Sequence, residues 1–197
     1  MHGLTPRSRR GLKKLRELAG DPRVDLWSAD EVHFQQHGAR CCMWVPPETK
    51  DPVLLHHPTR KSVGYFGAVR LRDGKFVFQR EETVFNGDTF FSFLKNLRKA
   101  SCHTGRRVIV LVDNAKYHHA RLHEDWRNHA MPRFALEFLP PYSPDLSPVE
   151  RVWKLTRRQG THNQYFPTVS AVVEKVEGVF APWGSGSEIL RRLCAVT

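Results

Sequence analysis

The most constraining feature of this sequence is the apolar run Val108-Ile-Val-Leu-Val112, which is followed directly by Asp113. A strand with apolar side chains on both faces has to be covered on both faces, as in a sheet layered between helices. The run is far too short to cross a bilayer, which takes about 20 apolar residues. We therefore expect a central strand of an α/β fold, with an acid delivered at the strand's end.

The first half of the chain has the pattern of further strands. Val24 to Phe34 predicts a strand with Asp30 near its middle, and Ala39 to Val45 predicts a second one that ends at Pro46-Pro47. Asp73-Gly74 then stands between two β-prone runs, which is typical of a type I′ hairpin turn. We expect that hairpin to pair Tyr65–Leu71 with Lys75–Gln79.

The apolar spacing changes to that of helices in the second half. After Asn86-Gly-Asp88, the residues Phe90, Phe93, Leu94 and Leu97 follow the helical template, with Asp88 placed to cap the helix. Strands followed by alternating helices and strands call for a mixed sheet. We predict an α/β, ribonuclease-H-like fold: a mixed five-stranded sheet with helices on both faces. Its later elements are a helix over 119–128, a strand over 134–139, and helices over 148–158 and 169–180.

The ends of the chain differ in composition from this central part. Residues 1–22 carry an excess of Lys and Arg, with Leu12, Leu15 and Leu18 at helical spacing, and are interpreted as a basic arm or linker with a short helix. Residues 23–183 are predicted to form one domain that holds these strands and helices, and 184–197 a C-terminal tail.

Charge and cysteine content limit the possible partners and compartment. The chain has 31 Lys and Arg against 20 Asp and Glu, a formal net charge of +11. Such a surface attracts polyanions, so nucleic acid is the first partner to consider, although many basic domains bind nothing specific. Without a signal peptide or membrane span, we expect a cytoplasmic protein with reduced cysteines and no membrane partner. Zinc is disfavoured, because Cys41-Cys42 with His56-His57 lacks the usual ligand spacing.

Three acids stand out by their positions: Asp30 in the first strand, Asp113 after the buried strand, and Glu150 in the first turn of a helix. Carboxylates from separate elements can converge where strands of a mixed sheet end. Each acid also has a structural interpretation. Asp30 can be a solvated strand residue, Asp113 a turn residue, and Glu150 the partner of Ser147 in a capping box, as well as of Lys154 in an ion pair.

Longer motifs around these acids carry a family resemblance. Asp113-Asn-Ala-Lys-Tyr-His118 and Phe138-Leu-Pro-Pro-Tyr-Ser-Pro-Asp-Leu-Ser-Pro-Val-Glu150-Arg-Val-Trp-Lys154 resemble the signature of DDE transposases in the bacterial insertion-sequence branch of the mariner-like superfamily. Ser28-Ala-Asp30-Glu-Val-His-Phe34 is similar to the block around the first catalytic Asp of that family. The resemblance covers about residues 24–160. Ser147 stands where the family usually has Asn.

The resemblance implies a ribonuclease-H-like fold in which Asp30, Asp113 and Glu150 are the catalytic, metal-binding triad for Mg²⁺ or Mn²⁺, used as two ions. It implies nicking at the ends of an insertion sequence and strand transfer of the freed 3′-hydroxyl into target DNA. The implied partner is double-stranded DNA with TA targets, bound by a homodimer in the bacterial nucleoid. Family members carry helix-turn-helix domains ahead of the first Asp, where this chain has 29 residues. We therefore expect the catalytic half alone: the second reading frame of a split element, a truncated copy, or a domain whose end-binding partner is a separate amino-terminal polypeptide.

Five basic residues near the motifs are candidate DNA contacts: Lys116, His118, Arg151, Lys154 and Arg158. Arg151, Lys154 and Arg158 follow helical spacing beside an apolar stripe, so that one face packs and the other meets phosphates. A solvated charged face is the alternative. For the whole chain, the alternatives are a catalytically inactive, transposase-derived DNA-binding protein and another ribonuclease-H-like nuclease.

Overall fold

The computed structural model describes residues 6–42, 44–49, 53, 55, 58–140 and 146–196. Within these ranges, no helix combines the length and apolar character that a bilayer span requires. The regular elements are α1 (Pro6–Gly20), β1 (Val24–Gln35), β2 (Ser62–Arg70), β3 (Phe76–Glu81), α2 (Gly87–Ser101), β4 (Arg107–Val112), α3 (Glu124–Ala130), β5 (Phe134–Phe138), α4 (Val149–Thr156), α5 (Val169–Phe180) and α6 (Glu188–Leu193).

The strands form one five-stranded sheet in the order β3-β2-β1-β4-β5. The pairs β1/β2 and β2/β3 are antiparallel, whereas β1/β4 and β4/β5 are parallel. β4 lies inside the sheet with every residue from Val108 to Val112 buried, as its apolar run predicted. The predicted mixed five-stranded sheet is confirmed.

Helices cover both faces of this sheet, because successive side chains of a strand point to opposite faces and the central strands carry apolar side chains on both. On one face, α2 and α3 pack on residues such as Trp27, Phe66 and Val110. On the other face, α4 and α5 pack on Val32 and Tyr65. The same face continues toward α1, whose buried Leu15 belongs to a third apolar cluster of the core.

Three local predictions are corrected by the structure. Among the described residues of 39–45 there is no strand: Ala39 makes an isolated bridge to His162, and Arg40, Cys41, Cys42 and Trp44 are exposed, with no strand paired to them. The cap of α2 is Asn86 rather than Asp88, since the Asn86 side chain accepts hydrogen bonds from the backbone N–H groups of Asp88 and Thr89. The helix predicted from His119 begins as 3₁₀ turns, and α3 itself starts at Glu124.

Both ends of the described chain pack against the sheet domain. The stretch 184–197, interpreted as a tail, contains α6, and Leu190 and Cys194 are buried in the same cluster as Trp153. The Arg151 guanidinium fixes this end by donating to the carbonyls of Leu193 and Ala195, at 2.9 and 3.0 Å.

Candidate active site

The register of the two central parallel strands brings the first two acids to one edge of the sheet. β1 and β4 run in the same direction and pair Ser28 with Leu111. Asp30 and Asp113 each follow that pair by two residues, so they stand at the same level of neighbouring strands. The negative charge of Asp113 contributes to the electrostatic environment of Asp30, which places the two carboxylates within mutual influence.

Glu150 reaches this edge because the start of α4 is docked on β1. The backbone N–H of Val149 donates to Ser28 Oγ at 3.3 Å, within the buried interior. Glu150 follows in the first turn, and its side chain lines an open cavity of about 560 Å³ together with Asp30 and Arg157. The structure therefore gathers the three predicted acids at one edge, with Asp30 and Glu150 in a common cavity and Asp113 beside Asp30.

The capping interpretation of Glu150 is not supported. α4 begins at Val149 with Pro148 as its cap residue and no side-chain capping hydrogen bond, and Ser147 and Glu150, both described, do not bond to each other through their side chains. Glu150 Oε2 lies 3.8 Å from Lys154 Nζ, the predicted ion pair, and the Glu150 side chain remains 36% exposed. Its carboxylate is thus available to the cavity.

Trp153 and Gly67 form a seat for Asp30 that the sequence analysis missed. The Trp153 indole N–H donates to Asp30 Oδ2 at 3.2 Å. Gly67 pairs with Asp30 across β1 and β2, and a Cβ built on Gly67 would lie 2.3 Å from Trp153 Cη2. Because Gly67 has no side chain, the Trp153 indole can pack directly against its backbone. A glycine inside a strand is a signal of such close approach, and it was available in the sequence.

Gly67→Ala should disrupt this seat. We expect the free energy of unfolding to fall by about 1–3 kcal/mol, because the added methyl overlaps the Trp153 ring and a rigid core has to shift. Urea denaturation followed by tryptophan fluorescence measures the change. Gly178→Ala is the matched control: Gly178 lies within α5, a methyl group added to it would meet nothing within 4 Å, and alanine should raise helix stability there by up to about 1 kcal/mol. Equal effects of the two substitutions would contradict the proposed seat.

Asp113 is held by its own turn and by a buried histidine. Its Oδ1 lies 2.8 Å from His118 Nδ1 and accepts the Ala115 backbone N–H at 2.9 Å. The hydrogen bond with His118 is the main cause that lowers the pKa of Asp113 below its usual value. Asp113 is 54% exposed, whereas His118 is 1% exposed. The turn interpretation and the site interpretation of Asp113 therefore hold together, since the turn leaves one carboxylate oxygen free.

The pKa of Asp30 is shifted in the opposite direction from that of Asp113. The pKa of Asp30 is raised to about 7, first by burial and then by the negative charges of Glu31 and Asp113, against the lowering effect of hydrogen bonds from the Glu31 backbone and the Trp153 indole. An acid whose charged form is disfavoured by desolvation and by like charges, in a cavity, is a mark of a functional site. The edge has an excess of negative charge that a cation can compensate.

The donor set fits a divalent cation of the hard type. Within the described ranges, no three His, Cys, Asp or Glu side chains converge closely enough to hold one ion as they stand. The three carboxylates nevertheless offer only oxygen ligands, which Mg²⁺ and Mn²⁺ prefer, and the raised pKa of Asp30 shows where positive charge is needed. Cys41 and Cys42 are exposed, while His56 and His57 lie outside the described residues.

The predicted basic contacts separate into two groups. Lys116, Lys154 and Arg158 are exposed, as a phosphate contact requires. Arg151 is engaged with the carbonyls before the chain end, and His118 is buried beneath Asp113, where its ring has no surface to offer DNA. Their observed contacts are those of residues that stabilise and position.

Arg157 is a basic residue that the sequence analysis did not select. It lies on the cavity wall with Asp30 and Glu150, and its guanidinium stacks 5.6 Å from the centre of the Phe34 ring. No carboxylate of the described residues lies within 4.0 Å of it. The sequence signal for Arg157 was its helical spacing from Glu150 and Trp153, which places all three on one face of the helix. The helix extends as far as Arg157 because a π-helical turn (Arg157–Thr161) follows α4.

The comparisons with known proteins agree with this fold. Residues 25–173 match the family described as DDE superfamily endonuclease. The chain therefore belongs to the DDE superfamily endonuclease family. This confirms the family predicted from the motifs around Asp113 and Glu150.

One curated relative and three structures of Mos1 illustrate the match. The chain is 31% identical over 87 residues to the insertion element IS630 uncharacterized 39 kDa protein of Shigella sonnei, covering 44% of this chain and 25% of that protein. The Mos1 strand transfer complex and the Mos1 mariner paired end complex with Mn are both 22% identical, with TM-scores of 0.68, covering 98% of this chain and 59% and 60% of theirs. The catalytic domain of Mos1 mariner transposase is 20% identical, with a TM-score of 0.61, covering 98% of this chain and 89% of that one. At these identities the structures support the ribonuclease-H-like fold, and the chain spans a quarter of the curated relative.

Proposed function

We propose that this chain catalyses metal-dependent DNA nicking at insertion-sequence ends and transfer of the resulting 3′-hydroxyl into target DNA. The observation that carries the proposal is the convergence of Asp30, Asp113 and Glu150 at one sheet edge, beside an open cavity with a basic wall. Membership of the DDE superfamily endonuclease family supports the reaction class. The site residues and the two-ion requirement remain part of this proposal.

In the proposed reaction the three acids bind the metal, and neighbouring residues of the fold hold those acids in position. Bound Mg²⁺ or Mn²⁺ would activate the attacking oxygen and stabilise the departing one at the phosphodiester. Asp30, Asp113 and Glu150 would supply its carboxylate ligands, with Trp153 fixing Asp30 and His118 fixing Asp113. In nicking, a water oxygen bonds to phosphorus while the bond to the 3′-oxygen breaks. In strand transfer, that 3′-oxygen bonds to a target phosphorus and another 3′-oxygen leaves.

Double-stranded DNA is the proposed substrate, bound through the phosphate backbone. Lys116, Lys154 and Arg158 provide exposed positive charge around the site, and Arg157 provides it inside the cavity. Affinity should fall steeply as salt rises, because phosphate contacts release counterions. By analogy with the paired end complex of Mos1, we also propose that two copies of the chain act together on DNA. The family resemblance of the motifs supports TA dinucleotides as the targets.

The test is cleavage of a supercoiled plasmid by the purified chain with Mn²⁺. We expect nicked circles to accumulate with Mn²⁺ or Mg²⁺, and none with excess chelator. DNA retardation without any nicking, under conditions in which metal binding is verified, would instead favour the inactive DNA-binding alternative.

Arg157→Gln should weaken DNA binding and cleavage more than Arg158→Gln. The two residues are adjacent and carry the same charge. Arg157 lines the cavity, whereas Arg158 is exposed and does not line it. We expect about a tenfold loss of affinity for Arg157→Gln, since a charge-assisted bond to a phosphate is worth about 1.5–3 kcal/mol. Fluorescence anisotropy with a short duplex at fixed salt measures both variants. Equal losses would assign both arginines to general electrostatic attraction.

A further inference from the structure

We propose that Glu31 and Tyr117 are positioning residues that hold His118, and through it the free oxygen of Asp113, in the orientation that a divalent cation requires. This inference rests on the proposed function for the identity of Asp113 as a metal ligand. It extends the site to a second set of side chains on the opposite face of the sheet from Asp30.

The alternation of β1 places Glu31 behind the site. Asp30 points toward α4, where Trp153 donates to it, so its neighbour Glu31 points to the face that α2 covers. On that face the Tyr117 hydroxyl donates to Glu31 Oε1. Burial and the Glu31 carboxylate raise the pKa of Tyr117 well above its usual value, which keeps this hydroxyl protonated as a donor.

Tyr117 forms one wall of a box around His118. Its ring meets the His118 ring edge to face, at 4.6 Å and 75°. Phe90 forms the other wall, with its ring centre 4.2 Å from that of His118. Since His118 is 1% exposed, rotation of the imidazole requires one of these walls to move. The hydrogen bond to Glu31 is what anchors the Tyr117 wall.

The second oxygen of Glu31 is a buried polar atom that the fold leaves unsatisfied. Glu31 Oε2 has no hydrogen-bond partner among the described residues and lies 3.9 Å from His118 Nε2. An orphaned buried carboxylate oxygen is costly, and it calls for an explanation. Here it lies behind the ring nitrogen opposite the one that contacts Asp113, beyond hydrogen-bond distance, so Glu31 acts on His118 through the Tyr117 ring that it anchors and not by a direct bond.

The two carboxylate oxygens of Asp113 therefore have different roles: one holds the turn and the histidine, and the other is available to a cation. His118 Nδ1 and the Ala115 N–H both contact Oδ1, and Oδ2 has no hydrogen-bond partner among the described residues. Residues that orient a metal ligand in this way are typically worth about 10–100-fold in metal affinity. Glu31 and Tyr117 act one step further out, through the ring they hold.

Tyr117→Phe tests this arrangement, because it removes the hydroxyl while keeping the ring and the charge of Glu31. Tyr165→Phe is the matched control, since Tyr165 is an exposed tyrosine. Two measurements are made on each protein: ¹⁵N NMR of the His118 ring without metal, and Mn²⁺ affinity by electron paramagnetic resonance. Circular dichroism and the thermal midpoint verify folding.

In the parent and in Tyr165→Phe, we expect a single His118 tautomer with its hydrogen fixed on Nδ1. In Tyr117→Phe, we expect averaging between the two ring nitrogens and about a tenfold loss of Mn²⁺ affinity with the fold retained. An unchanged His118 signal in Tyr117→Phe would overturn the inference. A parent that binds no Mn²⁺ would instead overturn the proposed metal chemistry, and the metal-free NMR comparison would still decide whether Tyr117 holds the ring.

Discussion

Glu150→Gln is expected to abolish Mn²⁺-dependent nicking while the protein stays folded. Glutamine keeps the shape and the helical preference of glutamate but loses the negative charge that a divalent ion requires. We expect a loss of about 10³-fold or more in the nicking rate, which corresponds to about 4 kcal/mol of transition-state stabilisation. Single-turnover nicking of supercoiled plasmid at saturating protein measures the rate.

Glu174→Gln provides the control for this substitution. Glu174 is an exposed glutamate of α5, and the same change there should leave nicking at the parent rate. Because α4 starts without a side-chain cap from Ser147 or Glu150, the metal-free stability of Glu150→Gln should match that of the parent. Nicking by Glu150→Gln at near the parent rate would remove Glu150 from the triad. Asp145, which lies outside the described residues, would then be the acid to test.

The arrangement of the strands was predictable because it depends on periodicity. The apolar run of β4 required cover on both faces. Asp73-Gly74 marked the hairpin correctly, but its turn is not the predicted type I′: the loop spans 71–74, and of the pair only Gly74 has a positive φ. These local patterns predicted the chain order of strands and helices. The common level of Asp30 and Asp113 comes from the β1/β4 register, which the structure supplies.

The contacts that hold the site were not predictable in the same way, because they join residues far apart in the chain. Trp153 was interpreted as part of an apolar stripe, and its ring does pack in the core, but its N–H serves Asp30. Gly67 lies opposite Asp30 as a consequence of β1/β2 register, which sequence spacing does not give. His118 was predicted as a DNA contact, and only the packing of Phe90 over it shows that it is buried.

The sequence pattern also predicted a strand over 39–45 that the structure does not contain among the described residues. Ala39 to Val45 has strand-like composition, yet no partner strand with an apolar face comes near it among the described residues. Strand propensity reflects the surface on which a segment packs. The five strands of the sheet already leave β3 and β5 as its edges, and the chain after Ala39 runs past the end of β1 instead of joining them.

Asp30→Asn is expected to stabilise the metal-free protein at pH 8 and to leave its stability nearly unchanged near pH 4. The pKa of Asp30 is raised to about 7 in the folded state, against about 3.9 for an unfolded Asp. The folded state therefore holds a proton that the unfolded state has lost between these values, and the stability of the parent falls as pH rises through this window. Three pKa units correspond to at most about 4 kcal/mol, and Asn avoids this cost while still accepting the Trp153 N–H through its carbonyl oxygen.

The difference between the two proteins isolates Asp30 from the other acids. The lowered pKa of Asp113 gives stability that is lost as pH falls below about 4, but that contribution is present in both proteins and cancels when they are compared. Urea denaturation in chelator at pH 4, 6 and 8 should therefore show an Asn advantage that grows with pH. Mn²⁺ at pH 8 should then reverse the order, because a bound cation stabilises the parent by mass action and has lost a ligand in the variant. An Asn advantage independent of pH would mean that the gain comes from packing, and Asp30 would not carry the electrostatic strain that a metal ligand relieves on binding.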